Sequence, residues 1–129
     1  MNITILIPVF NDFKSVSKLI EEIDINISDF NASFSVIVVN DASTEEKILE
    51  TNNLNNIRSL KLINMRNNKG HARCIATGLK YIFEKDDSDF AIPMDGDGED
   101  RPEEIKIFLE QIKKSHEKPI VGERIKRSE

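Results

Sequence analysis

The chain has 129 residues, of which 39% are hydrophobic and 32% are charged. This length fits one domain, and this apolar fraction can form a buried core, so two domains and wholesale disorder are excluded. The 18 basic and 23 acidic residues give a net charge of −5, which provides no basic field for nucleic acid, and the single cysteine excludes a disulfide framework.

Short apolar runs alternate with segments of helical periodicity from the beginning of the chain. Ile3–Phe10 and Phe34–Val39 are apolar runs that each end at an Asn-Asp pair, which predicts two strands buried on both faces. Between these two runs, apolar residues recur at a spacing of three or four from Val16 to Ile27. This spacing predicts one helix with a single apolar face.

The same alternation continues through the rest of the chain. Ser43 and Glu46 have the spacing of a capping box, so we expect a short helix to begin at Ser43. Helical periodicity predicts two further helices, one beginning at Gly70 and one at Pro102. Three more apolar runs predict strands, at Leu60–Met65, Phe90–Met94 and Pro119–Val121.

This order of elements predicts an α/β fold with a mostly parallel sheet and helices on both faces. In such sheets, ligands bind beyond the carboxyl ends of the strands. The residues that follow the five predicted strands are carboxylates, amides and arginines. The sequence therefore predicts a functional site at this edge of the sheet.

An acidic, glycine-containing segment follows the fourth predicted strand. Asp95 and Asp97 lie two residues apart, so an extended backbone directs both carboxylates to one side. Gly96 and Gly98 let a ligand approach the backbone closely. Two carboxylates that face a diphosphate suit Mg²⁺ or Mn²⁺. The alternative interpretation of this segment is an acidic surface turn.

Three other strand ends carry candidate binding residues. Asp41 can accept a hydrogen bond from a ribose hydroxyl or a base, or it can cap the next helix. Gly70 begins a helix whose first N–H groups are free, and Arg73 lies close by, which suits a ribose or a phosphate. The alternative there is a solvated cationic helix start. Arg124 is either a phosphate ligand or part of a charged tail.

Two residues of the helix after Gly70 have chemically versatile side chains. His71 can ligate a metal or titrate, although a surface histidine at a helix start more often does neither. Cys74 lies at helix spacing beside an isoleucine and is interpreted as a small core residue.

In this order, the motifs resemble the N-terminal half of family 2 inverting glycosyltransferases of the GT-A fold. Within that family, they look most like the dolichyl-phosphate mannosyltransferase-like branch. The resemblance covers nearly the whole chain. The matching stretches are Ile7–Asp12, Val39–Ser43, Asn68–Arg73 with Gly78, Asp95–Glu99 with Pro102, and Val121–Arg124.

The resemblance implies that the domain binds a nucleotide-diphosphate sugar linked to uridine or guanosine. The family pattern has glutamate where this chain has Asp12. Pro8, Phe10 and Asp12 would line the base and ribose. Asp41 would accept a hydrogen bond from the base, and Gly70 and Arg73 would flank the nucleotide. The complete implied donor set is Pro8, Phe10, Asp12, Asp41, Gly70, Arg73 and Asp95.

The resemblance also implies a divalent metal, Mg²⁺ or Mn²⁺, and two catalytic residues. Asp95 and Asp97 match the two acids of the family's D-x-D motif. Glu99 stands where related enzymes have a metal-contacting glutamine, which completes the implied metal set. Arg124 matches an arginine that faces the phosphates of the donor or acceptor. Asp97 and Arg124 are the implied catalytic residues.

The implied acceptor is a polyprenyl phosphate at the membrane surface. Residues 1–129 are expected to be one nucleotide-sugar-binding domain that lacks its C-terminal acceptor-binding part. Residues 1–8 do not have the pattern of a signal peptide, and no apolar run approaches the ~20 residues of a spanning helix. We therefore predict a cytoplasmic domain that is peripheral to the membrane through its acceptor or a further C-terminal segment. A homodimer would cover the open edge of the sheet.

Two other classes of protein require residues that this chain does not have at the corresponding positions. A sugar-phosphate nucleotidylyltransferase needs a glycine-rich loop after its first strand, whereas residues 10–13 contain no glycine. A receiver module needs a phosphoacceptor aspartate after the third strand, where this chain has Arg66. A catalytically incomplete nucleotide-binding remnant stays open as the alternative to an active enzyme.

Overall fold

The computed structural model describes residues 1–45, 49, 51, 53–85, 88–95 and 104–114. Within these residues, four strands and three helices follow one another along the chain. The predicted strand at Pro119–Val121 lies outside the described residues. The elements are β1 (Asn2–Val9), α1 (Phe13–Asn26), β2 (Ser33–Asn40), β3 (Ile57–Asn64), α2 (His71–Lys85), β4 (Phe90–Pro93) and α3 (Glu104–Lys114).

The four strands form one parallel sheet in the order β3-β2-β1-β4. Residues 3–9 of β1 are all buried because the two faces of the strand contact different helices. One face of β1, formed by Ile3, Ile5, Ile7 and Val9, packs with α1 and α3. On the other face, Leu6 packs with Cys74 and Ile82 of α2. The predicted mostly parallel sheet with helices on both faces is therefore confirmed.

Two features of the sequence favour helix α1: an N-terminal cap and a helical spacing of apolar residues. The carboxylate of Asp12 accepts a hydrogen bond from the N–H of Ser15 at 3.3 Å, which satisfies one free donor of the first turn. Val16, Ile20 and Ile23 lie on one face and are fully buried. The helix ends where the N–H of Ile27 donates to the carbonyl of Ile23. The prediction of a helix between Val16 and Ile27 is thus confirmed.

Strand β3 begins at Ile57, three residues before the predicted start at Leu60. The buried carboxylate of Asp24, on α1, accepts hydrogen bonds from three consecutive N–H groups, at distances between 2.8 and 3.0 Å. These donors are Asn55, Asn56 and Ile57. A contact between residues more than thirty positions apart therefore fixes where the strand starts.

Replacing Asp24 by alanine is expected to lower the free energy of unfolding by about 3 kcal/mol, since three N–H groups lose their acceptor. Urea denaturation measures this change. The control is Asp29→Ala, an exposed aspartate in the turn after α1, which should change stability by less than about 0.5 kcal/mol. Equal effects of the two substitutions would contradict an anchoring role for Asp24.

The helix predicted to begin at Ser43 does not form there. No described residue from 43 to 56 is helical, and Glu46 lies outside the described residues. The Ser43 hydroxyl accepts from the N–H of Asn11 at 2.8 Å and donates to the side-chain carbonyl of Asn40. The hydroxyl therefore connects the loop after β1 with the end of β2. In the part of the chain described here, no helix is long and apolar enough to cross a membrane.

Candidate functional site

A cleft of about 160 Å³ lies at the carboxyl end of the sheet, between β1, β2, β4 and the start of α2. Five of the seven residues implied to bind a nucleotide-sugar line this cleft. Gly70 and Arg73 are the two that do not. The complete lining is Pro8, Val9, Phe10, Asp12, Asp41, His71, Cys74 and Asp95. We call this space the carboxyl-end cleft.

The loop after β1 presents an aromatic ring to this cleft. The side chain of Phe10 is 49% exposed although it is large and apolar. The next residue, Asn11, has a φ of 65°, a left-handed conformation that asparagine tolerates better than most residues. The chain then enters α1 through the exposed Asp12. An exposed ring at the edge of a cleft offers a flat surface on which a nucleotide base can stack.

Side-chain amides connect the loops that surround the cleft. The side-chain carbonyl of Asn11 accepts from the N–H groups of Thr44 at 2.8 Å and Glu45 at 3.1 Å. Asn40 is completely buried, and its NH₂ group donates to the side-chain carbonyl of Asn64 at 2.9 Å. The ends of β1, β2 and β3 are therefore held together by hydrogen bonds, which gives the cleft a fixed wall.

Asp41 holds the loop that leads into α2. It is 5% exposed, and its two oxygens accept from the N–H groups of Lys69 at 2.7 Å and Gly70 at 2.9 Å. Gly70 adopts a φ of 94°, which favours glycine at this position. Asp41 thus supports the start of a helix as one interpretation predicted, but that helix is α2, not one directly after β2.

The role of Asp41 toward a base stays a prediction. Each carboxylate oxygen has two acceptor positions, and each described N–H bond occupies one of them. Because Asp41 also lines the cleft, it can accept a further hydrogen bond from a ligand.

Cys74 belongs to the core and also reaches the cleft. It is fully buried in the cluster between α2 and the sheet, which confirms its interpretation as a core residue. Burial raises the pKa of its thiol from the usual 9.0 to about 12, and the negative charge of Asp41 and a hydrogen bond to that carboxylate act in the same direction. The thiol is therefore protonated at neutral pH and is a donor to Asp41.

This raised pKa makes the stability of the domain depend on alkaline pH. Above pH 9.0 the unfolded thiol loses its proton while the folded thiol keeps it up to about pH 12, so the free energy of unfolding falls across this interval. Urea denaturation below and above pH 9.0 should show a larger fall for the wild type than for Cys74→Ala. Lysine and tyrosine titrations affect both proteins alike, and an equal fall in the two would contradict the raised pKa.

Asp95 lies at the end of β4 and meets the start of α2. Its Oδ1 atom is 2.8 Å from Nε2 of His71, and the two side chains are 29% and 55% exposed. Three residues of the cleft lining, Val9, His71 and Cys74, are not among the donor residues that the resemblance implies. For His71 and Cys74, the available sequence signal is their position in the first turn of a helix that begins directly after Gly70, at the carboxyl end of the sheet.

Asp95 is the described member of the predicted metal set. Asp97, Glu99 and Arg124 lie outside the described residues, so their predicted roles stay predictions. Within the described ranges, no group of three or more histidine, cysteine or acidic side chains could hold a metal ion. Mg²⁺ usually needs only one or two protein carboxylates because substrate phosphates and waters complete its shell. A partly exposed carboxylate at the rim of the cleft, such as Asp95, fits that requirement.

Gly70 and Arg73 lie beside the cleft and do not line it. The N–H of Gly70 is directed to Asp41, and Arg73 is exposed in the first turn of α2. Their implied position is at the flank of a nucleotide, which is compatible with this placement. Whether they contact a nucleotide stays a prediction.

The fold is that of an α/β protein, and its candidate ligand cleft lies at the carboxyl ends of parallel strands. Residues 4–129 match the family described as glycosyl transferase family 2. The chain therefore belongs to this family, which confirms the resemblance and the predicted glycosyltransferase class, and excludes the nucleotidylyltransferase alternative.

The proteins that are similar to this chain include two curated relatives and a solved structure. Uncharacterized protein MJ0544 of Methanocaldococcus jannaschii is 25% identical over 119 residues, which cover 91% of this chain and 49% of that protein. Dolichol-phosphate mannosyltransferase of Pyrococcus furiosus is 26% identical over 113 residues, which cover 88% of this chain and 30% of that protein. The chain therefore spans about half the length of the first relative and about a third of the second.

The structural comparison concerns the fold. A crystal structure of S. aureus TarS 1–349 superposes with a TM-score of 0.63 at 23% identity, over 90% of this chain and 33% of that one. The predicted similarity to GT-A glycosyltransferase structures is thus confirmed at the level of the α/β fold.

Proposed function

We propose that this domain binds a nucleotide-diphosphate sugar together with Mg²⁺ or Mn²⁺ in the carboxyl-end cleft. The proposal includes inverting transfer of the sugar to an acceptor by the protein to which the domain belongs. One observation carries the proposal: five residues that the family resemblance implies for the donor line a single cleft at the carboxyl end of the sheet. The family membership of the chain gives the class of reaction.

The part of the cleft formed by β1 and β2 suits the nucleoside. The half-exposed ring of Phe10 can stack on a base, and Pro8 contributes an apolar surface next to it. The carboxylates of Asp12 and Asp41 are acceptors for ribose hydroxyls and base N–H groups. A neutral, hydrogen-bonding nucleoside therefore belongs at this end of the cleft.

The part of the cleft formed by β4 and α2 suits the diphosphate. Asp95, with the predicted ligands Asp97 and Glu99, would hold the metal ion, which, when bound, stabilises negative charge on the departing nucleoside diphosphate. Arg124 is the second candidate for phosphate contact. In this proposal, Asp97 and Arg124 are the catalytic residues.

The acceptor in this proposal is a polyprenyl phosphate, the class suggested by the name of the Pyrococcus relative. An acceptor phosphate oxygen would bond to the anomeric carbon while the bond from that carbon to the diphosphate breaks on the opposite face. Since the phosphate is already anionic, it needs no protein base. The protein's task is to position the two reactants. A location at the cytoplasmic membrane surface and a homodimer belong to the same proposal.

Calorimetric titration of the domain with UDP-sugars and GDP-mannose, with and without Mn²⁺, tests the proposal. Metal-dependent binding of one nucleotide is the expected result and identifies the base. Phe10→Ala should weaken that binding about tenfold because base stacking is lost. Phe83→Ala is the matched control, since Phe83 is 89% exposed on α2 and does not line the cleft.

Two other outcomes of the binding and transfer experiments would lead to different conclusions about the function of the domain. A folded domain that binds no nucleotide would overturn the proposal. Metal-dependent binding without sugar transfer by the whole protein would identify the catalytically incomplete remnant, which differs from the enzyme only in a transfer assay.

A further inference from the structure

A second cleft, of about 290 Å³, lies at the opposite end of the sheet. It is formed by the amino ends of β1, β2 and β3 and by the carboxyl-terminal end of α2. Because β2 has seven residue steps from Ser33 to Asn40, this cleft is separated from the carboxyl-end cleft by about 23 Å along the strand. Its lining is Asn2, Ser33, Ser35, Arg58, Ser59, Lys61, Lys85 and Ser88. We call it the amino-end cleft.

The floor of the amino-end cleft is made of hydroxyl groups. Strands of a covered parallel sheet are normally apolar on both faces, as Leu6 and Ile37 are further along the face that contacts α2. At the amino ends of the same face the chain has Ser35 and Ser59, which are register partners. The Ser59 hydroxyl donates to the Ser35 hydroxyl at 3.0 Å. These groups are small, polar and available to a ligand that accepts or donates hydrogen bonds.

The wall of the amino-end cleft is cationic. Three basic side chains line it, and no described carboxylate does. Arg58 donates from Nη1 to the Ser33 hydroxyl at 3.4 Å, and Lys61 holds its ammonium 5.6 Å from the ring centroid of Tyr81. Asp89 lies nearby, where its carboxylate accepts from the N–H of Asn2 at 2.8 Å. The three positive charges of this lining contrast with the net charge of −5 of the whole chain.

We propose that the amino-end cleft binds a phosphate group carried by a small molecule or a lipid headgroup. Arginine and lysine side chains with serine hydroxyls are the usual partners of phosphate oxygens. The volume exceeds that of a phosphate ion alone and leaves room for the group to which it is esterified. This site is independent of the proposed donor site, because the two clefts share no lining residue.

Amide chemical shifts recorded during a titration of the 129-residue chain with inorganic phosphate test this site. The expected result is a saturable shift of Ser33, Ser35 and Ser59 that potassium chloride at equal ionic strength does not produce. The triple variant Arg58→Gln/Lys61→Gln/Lys85→Gln should bind phosphate about tenfold more weakly. The matched control Lys14→Gln/Lys18→Gln/Lys106→Gln removes three exposed cations of α1 and α3 and should bind as the wild type does.

Two further probes distinguish the sources of the phosphate. Glycerol 3-phosphate represents soluble phosphorylated molecules, and vesicles of equal parts phosphatidylcholine and phosphatidic acid represent lipid headgroups. Binding of either probe that the triple variant weakens supports the proposal. Shifts that do not saturate, or that are equal in the triple variant and the wild type, would overturn it. A nucleotide titration of the same samples reports on the carboxyl-end cleft separately.

Discussion

Replacing Asp41 by alanine is expected to lower the free energy of unfolding by about 3 kcal/mol. Its buried carboxylate accepts from the N–H groups of Lys69 and Gly70, and alanine leaves both donors without an acceptor at the start of α2. The same substitution at Asp12 should cost about 1 kcal/mol, because Asp12 is exposed and caps α1 through one 3.3 Å bond. Urea denaturation of the three proteins measures both changes.

Asp41→Asn separates the charge of Asp41 from its acceptor role. Asparagine keeps one acceptor oxygen and places an NH₂ group opposite the other N–H. The free energy of unfolding of Asp41→Asn should therefore lie between those of the wild type and Asp41→Ala. The pKa of Cys74 should fall in both variants, because the negative charge and the hydrogen bond of Asp41 both raise it. The pH dependence of thiol alkylation measures that fall. If Asp41→Ala is no less stable than Asp12→Ala, the loop before α2 is held by other contacts.

The sequence predicted the elements that local patterns determine. Burial of both faces makes β1 and β2 largely apolar, and the observed strands agree with the predicted runs to within one residue at each end. Helices α1 and α2 follow their apolar spacing in the same way. The sequence also predicted the family, because family membership depends on short motifs in a fixed order and not on the exact ends of helices and strands.

The start of β3 and the loop after β2 could not be predicted, because distant residues fix them. The carboxylate of Asp24 determines where β3 begins, and the Ser43 hydroxyl bonds to Asn11 in another loop instead of capping a helix. Both contacts join residues more than thirty positions apart, which propensity and spacing do not encode.

The candidate site was predictable in composition but not in its internal contacts. The sequence predicts a site role for Asp12, Asp41 and Asp95 because they follow strands, and the sheet brings them to one cleft. The 2.8 Å contact between His71 and Asp95 depends on how α2 lies against β4. That placement results from packing of the helix on the sheet, so no local motif reports it.

The contact between His71 and Asp95 leads to a prediction that rests on the proposed donor site. Asp95→Asn should weaken Mn²⁺-dependent nucleotide binding about a hundredfold, because it removes the one described carboxylate of the proposed metal set. His71→Ala should weaken it only about tenfold, because His71 orients the Asp95 carboxylate through the 2.8 Å contact and is a positioning residue. Calorimetry in the presence and absence of Mn²⁺ measures both effects.

The relative size of these effects distinguishes a ligand from the residue that positions it. His71→Gln retains an N–H donor toward Asp95, so it should recover most of the affinity that His71→Ala loses. Asp29→Asn removes the same charge as Asp95→Asn at an exposed turn outside the cleft and should bind as the wild type does. If Asp95→Asn binds no more weakly than Asp29→Asn, Asp95 does not hold the metal. If His71→Gln is as weak as His71→Ala, then the imidazole itself contacts the nucleotide or the metal, and the hydrogen bond to Asp95 is secondary.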